Sequence, residues 1–241
     1  MIWWAVAALS AFFIKGLCGF ANTLIFTTIL SFNSSNLSIT PVELLLGFPT
    51  NLIIAWRERR SINWRICIPL TVLMLAGNLP GIFLLKNTDS RIVKVFFGTV
   101  IVLIGAEMLL REYRPGKTRG SKAVLVLIGV MSGILSGMYG IGAMLAAYVG
   151  RVTKDSHSFK ANMCAIFLVE NIFRLTMYLA TGIITLEAAI RAAWLFPVML
   201  LGLWGGIVSG NLLDERLVKK LVILMLILSG TALVLTNLVT V

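Results

Sequence analysis

The chain has 241 residues, of which 59% are hydrophobic and 13% charged, with a mean hydropathy of +0.96. Soluble domains are roughly half apolar and a quarter charged. Here apolar runs of about 20 residues recur, each long enough for a hydrocarbon layer about 30 Å thick, so a soluble helical domain with a large core is excluded. The formal charge of +11 does not signal nucleic acid: nearly every Lys and Arg sits in a short connector between apolar runs, as charge-directed orientation requires, and no aromatic residues interleave with them as a stacking platform.

The first apolar run covers residues 2–32. It has no basic n-region and continues past Ala11 through Phe12 to Ile14, so it reads as a membrane segment rather than a cleaved signal peptide. It is overlong for one crossing and is interrupted by Lys15-Gly16-Leu17-Cys18-Gly19, which predicts two short helices around an unwound turn. Single runs follow at 42–56, 66–85 and 95–110. A second overlong run, 123–150, is interrupted at Ser136-Gly137-Met138-Tyr139-Gly140-Ile141-Gly142, and further runs lie at 161–180, 193–213 and 221–240. Cys18, Cys67 and Cys164 lie in or beside these runs at no metal-ligand spacing, and an odd number cannot all pair, so no disulfide framework is expected.

The two interruptions reveal an internal repeat. Gly16, Gly19 and Leu24 recur 121 residues later as Gly137, Gly140 and Leu145. Asn51 then matches Asn171, Pro69 and Gly77 match Pro197 and Gly205, and Asp89, Arg91 and Gly105 match Asp214, Arg216 and Gly230, with small insertions between blocks. The second copy starts near Arg119, which divides one integrated membrane domain into repeats 1–118 and 119–241.

Loop charge tests how the copies are oriented. If every run crosses once, ten Lys and Arg face one side and nine the other, which specifies nothing. If each interrupted run is a re-entrant hairpin, three crossings remain per repeat, the repeats are inverted, and the split becomes fifteen against four. Hairpin arms of about 14 residues span about 21 Å, short of a crossing but deep enough to reach the interior. The expected fold is an all-α polytopic membrane protein of two inverted repeats, each a broken helical hairpin plus three transmembrane helices. The basic loops, around 57–65, 111–122, 151–160 and 214–220, are expected on the cytoplasmic face and both termini on the other.

Inverted repeats with broken helices are a transporter plan in which substrate sits near the midplane where the breaks meet. A helix that begins inside the membrane points free N–H groups and a positive dipole end at what precedes it, which suits an anion. The second hairpin arms begin in this way after Gly19 and after Gly142. Lys15, at the first tip, is the first choice for an anion contact, with snorkelling or structural pairing as the alternative. Asn22 follows it with an amide donor. In the run 161–180, Glu170 and Arg174 share a helical face. They are either a structural ion pair, or Arg174 attracts the anion and Glu170 carries a proton. The repeat counterparts of Glu170 and Asn171 are Thr50 and Asn51, so both Asn amides are expected to line the cavity. Tyr139, at the second tip, either donates a hydrogen bond or packs.

Enzyme readings fall away. The single histidine, His157, lies in a basic loop, which leaves no His-based metal cluster and no nucleophile triad. Gly133-Ile134-Leu135-Ser136-Gly137 has its Gly and Ser one residue too far apart for a membrane serine protease motif. The Gly-rich tips follow no strand and carry no phosphate-binding Lys-Ser or Lys-Thr pair. No cofactor or metal is expected, and transport is ion-coupled or facilitated.

Three segments carry a family resemblance: Phe13-Ile14-Lys15-Gly16-Leu17-Cys18-Gly19-Phe20; Gly133 with Ser136-Gly137-Met138-Tyr139-Gly140-Ile141-Gly142; and Asn63-Trp64-Arg65 entering the run that contains Pro69. Together they resemble the TauE/SafE family of sulfite and sulfonate exporters, over essentially the whole chain. The resemblance implies a small organosulfur anion, such as sulfite, sulfoacetate or a related sulfonate, moved across a prokaryotic plasma membrane, commonly with coupling to an ion such as a proton or sodium. The expected substrate-binding residues are Lys15, Gly16, Gly19, Phe20, Asn22, Thr50, Asn51, Tyr139, Gly140, Gly142, Asn171 and Arg174, with Glu170 as proton-coupling candidate. A passive anion channel and a non-transporting assembly subunit are the alternatives. Two departures narrow the tips: Ala21 stands where family members often have a further Gly, and Gly142-Ala143-Met144 stands where Gly-Gly or Gly-Pro is common.

Overall fold

The computed structural model describes residues 2–30, 34–87, 122–140, 142–153 and 155–214, together with scattered positions of the stretches 95–110 and 217–235. Every described element is helical. They are α1 (Ile2–Cys18), α2 (Asn22–Leu30), α3 (Asn36–Arg57), a 3-10 turn (Arg59–Ser61), α4 (Trp64–Asn87), α5 (Lys122–Tyr139), α6 (Ala143–Val152), α7 (Ser156–Ala180) and α8 (Leu186–Leu212). Among the described residues, four segments, Leu37–Arg57, Trp64–Leu84, Ser156–Ala180 and Leu186–Leu212, are long and apolar enough to cross a bilayer. Large side chains such as Trp3, Trp194, Trp204 and Leu212 are exposed on the outside. In water such a surface would aggregate, whereas in lipid it is the expected exterior. The chain is thus a multi-pass helical membrane protein.

Both interrupted runs are broken, but later than the glycine clusters suggest. Lys15, Gly16, Leu17 and Cys18 remain helical, and Gly19 N donates to Lys15 O at 2.6 Å. The turn itself carries positive φ at Gly19 (85°) and Ala21 (70°) before α2 begins at Asn22. In the second break, α5 runs through Gly137 to Tyr139, and the turn falls at Gly140, with φ 71°. Of the four repeat-matched glycines, Gly19 and Gly140 adopt the left-handed conformation, while Gly16 and Gly137 serve packing. A methyl on Gly16 would collide with Leu203 O, and one on Gly137 with Asn78 O.

These contacts belong to the main packing seams. α1 lies against α8 and α4 against α5, while α3 packs on α7. Along α8, Gly202 faces Leu9 O and Gly206 faces Phe13 O; along α4, Gly77 faces Val130 O and Gly81 faces Ile134 O. Between lipid-exposed helices there is no hydrophobic drive to associate, so backbones brought together by small residues supply the dispersion contacts instead. Gly98 likewise approaches Gly230 O and Val234, and Gly105 approaches Ile227, which joins the stretches 95–110 and 217–235. The start of the second repeat near Arg119 lies outside the described residues, as do Asp89, Arg91 and Arg216.

On the basic side, the α3–α4 connection is tied to the start of α7. Asn63 N donates to Asn162 Oδ1 at 2.8 Å, and His157 Nδ1 lies 2.9 Å from Glu58 Oε2. Asp155 caps α7 by accepting from Ser158 N at 2.7 Å, and that backbone hydrogen bond holds its carboxyl below the usual carboxylate range.

Candidate anion site

The two breaks meet at a buried ionic cluster. Lys15 is 2% exposed, Glu43 4%, Glu170 0% and Arg174 1%. Two basic and two acidic side chains meet here, and they balance when all four are ionised, as a low-dielectric interior favours. Lys15 sits in the last turn of α1, where the helix dipole favours a cation. Among the described residues its Nζ reaches only Gly47 O, at a long 3.5 Å.

Around Gly47 the polar groups of three helices converge. The point where a Cβ of Gly47 would stand is 3.1 Å from Glu43 Oε1, 3.6 Å from Asn22 Nδ2 and 3.9 Å from Asn171 Nδ2. Pro49 has no N–H to offer the Leu45 carbonyl, and α3 passes this level with Thr50 Oγ1 donating to Gly47 O at 2.7 Å. Thr50 thus satisfies its own helix. Asn51 is buried on the next position, with Oδ1 unpartnered.

Glu43 is the centre of the first tip. Its Oε1 accepts from Asn22 Nδ2 at 2.6 Å and from Thr23 Oγ1 at 2.7 Å. Gly140, from the second tip, closes the far side: its Cβ point is 2.9 Å from Arg174 Nη1, 3.0 Å from Glu43 Oε2 and 3.1 Å from Thr23 Cγ2. A methyl at Gly142 would run into the Phe167 ring. Between the tips lies a small cavity, about 10 Å³ open to the centre of a water molecule, enough for about one water. Residues 20–24, Gly140, Gly142 and Phe167 line it.

Glu170 and Arg174 form a second polar network, one side chain away. Glu170 Oε1 accepts from Asn78 Nδ2 at 2.7 Å and Ser136 Oγ at 2.9 Å. Arg174 Nε lies 3.5 Å from the same oxygen, near enough for charge attraction but misaligned for a hydrogen bond, so it remains without a partner, as does Glu170 Oε2. Arg174 Nη2 bonds Tyr178 Oη at 3.2 Å, and Tyr178 donates to Gly137 O at 3.0 Å. Asn78 Oδ1 is a further orphan.

Of the residues expected from sequence, Phe20, Asn22, Gly140 and Gly142 border the cavity, and Lys15, Asn171 and Arg174 stand just behind its lining. Gly19, with its Cβ point crowded by Lys160, shapes the turn, and Gly16 packs on α8. The Tyr139 side chain lies outside the described residues. Sequence reasoning missed Glu43, Thr23, Asn78, Ser136 and Tyr178. Glu43 carried the clearest signal, an ionisable residue in a membrane run, but it stood at the edge of the 42–56 segment. The helix actually begins at Asn36 and places it two turns in. Among the described residues no group of His, Cys, Asp or Glu could hold a metal ion.

A family model described as sulfite exporter TauE/SafE matches residues 4–233. Searches among curated proteins and among solved structures gave no match.

Proposed function

Because the chain belongs to the sulfite exporter TauE/SafE family, a family of membrane transporters, we propose that it is a secondary transporter. It carries a small organosulfur anion, such as sulfite, sulfoacetate or a related sulfonate, across a prokaryotic plasma membrane by alternating access. The observation that supports this most is Lys15, a fully buried cation at the meeting of the two helix breaks, whose hydrogen bond is a long one to the Gly47 carbonyl. Such a group has capacity left for an anion. Asn22, Asn171, Arg174 and the turns at Gly19 and Gly140 surround the place where that anion would sit, with Asn51 and Thr50 behind it on α3.

The inverted-repeat plan of residues 1–118 and 119–241 is supported by the seams. α1 with α8 and α5 with α4 make the same glycine-to-carbonyl contacts, each hairpin lying against a long helix of the other repeat. In these contacts Gly202 is the counterpart of Gly77, which shifts the alignment of this helix by three residues from the Gly77–Gly205 match. Coupling to a proton or sodium would use a buried carboxylate, Glu170 or Glu43, and the basic loops would face the cytoplasm.

Uptake of labelled sulfite, sulfoacetate and methanesulfonate into proteoliposomes, with and without a pH gradient, tests the proposal. Saturable uptake above empty liposomes is expected. Unitary currents with no coupling would instead mark a channel, and no flux of any anion would contradict transport altogether.

A further inference from the structure

The Glu43 carboxylate already has the surroundings of a bound oxyanion. It takes an amide N–H from Asn22 and a hydroxyl from Thr23, the first two residues of the nine-residue helix α2. A helix N-terminus inside a membrane favours negative charge, and here the chain supplies that charge itself. Glu43 Oε2 and Arg174 Nη1 both lie within 3.0 Å of one point above Gly140, and the cavity between the tips is lined by the same Asn22 and Thr23 that hold the carboxylate.

We infer that Glu43 is a tethered stand-in for the transported anion, and that it must take up a proton and release Asn22 and Thr23 before an external oxyanion can replace it. The inference deepens the transporter reading above and rests on it. Charge balance makes the exchange obligatory. Among the described residues, the ionisable groups facing Glu43 are Lys15 on α1 and Glu170, Arg174 and Tyr178 on α7; α2 contributes Asn22 and Thr23. With Lys15, Arg174 and both carboxylates charged, the cluster is neutral, and an added monoanion would leave a net buried negative charge. A proton from water added to Glu43 leaves one net positive charge, which one monoanion cancels. Each monovalent anion therefore moves with one proton, and the pair is electroneutral. Glu170 is placed differently: Asn78, Ser136 and Arg174 hold it away from the cavity lining, where it keeps Arg174 in position.

Calorimetric titration of methanesulfonate, a monoanion at all working pH values, into the purified full chain in buffers of different ionisation enthalpy counts the protons bound with the anion. The expected result is about one proton per anion, with affinity falling about tenfold per pH unit wherever the free protein holds Glu43 ionised. Glu43→Gln should bind methanesulfonate without proton uptake and without that pH dependence. Glu43→Asp, which keeps a carboxylate but shortens its reach to Asn22 and Thr23, should move the pH midpoint of binding. A wild-type count of zero overturns the inference, even if Glu43→Gln fails to fold. So does an unmoved midpoint in Glu43→Asp, or loss of the proton in Glu170→Gln but not in Glu43→Gln, and each of these leaves the transporter reading standing. Failure of both methanesulfonate and sulfite to bind wild type and Glu43→Gln alike contradicts the transporter reading, and the inference falls with it.

Discussion

The two hairpin tips do different work. The first, from Gly19 to Thr23, is chemically equipped: it brings an amide and a hydroxyl to Glu43 and lies beside Lys15. The second is defined by what it lacks. Gly140 and Gly142 present no side chain, and that vacancy lets Arg174, Glu43 and the Phe167 ring come close. The proposed anion site is therefore asymmetric, with donors from the first tip, a guanidinium from α7 and room from the second tip.

Four substitutions put the difference between the tips to the test. The largest effect is expected from Arg174→Met, which strands the buried Glu170 carboxylate without its counter-charge. Breaking a buried pair in this way costs about 3–5 kcal/mol, read as a lowered unfolding midpoint in detergent, and adding Glu170→Gln should restore a good part of it. Gly140→Ala puts a methyl against Arg174 and Glu43 at a φ of 71°. The left-handed backbone and the crowding together should cost about 2 kcal/mol and abolish anion binding.

Ala21→Gly acts in the opposite direction. Ala21 holds a φ of 70°, the left-handed region that a side chain disfavours, so glycine should stabilise the first tip by about 1 kcal/mol with binding kept. Asp155→Ala serves as the control away from both tips. Loss of the α7 cap should cost about 0.5–1 kcal/mol, with no change in anion response. Because the Asp155 carboxyl lies below its ordinary range when folded, its contribution is present above the unfolded-state value. It disappears as pH falls through the folded-state value.

Hydrophobic run length made the helices legible, since the membrane imposes a fixed span on every crossing. The glycine clusters at 16–19 and 137–142 located both breaks to within a few residues, but glycine has two uses that composition does not separate. Gly19 and Gly140 adopt positive φ, while Gly16 and Gly137 let helices touch. Lys15, Asn22 and Arg174 stood out because charge and amide groups are costly in hydrocarbon. Glu43 was hidden by a helix start six residues earlier than the apolar run, because Asn36 and Ser38 are polar yet helical. Asn78 and Ser136 were invisible for another reason: their partner Glu170 lies 92 and 34 residues away, and only folding brings them together.

Whether an anion is held between the tips with Lys15 behind them as its counter-charge is decided by the shift in unfolding temperature on adding sulfite or methanesulfonate to wild type and to Lys15→Met. A ligand that binds only the folded state stabilises it by mass action. The wild type should shift upward with anion concentration while Lys15→Met, folded by circular dichroism, should not. Equal shifts in the two proteins would contradict the assignment.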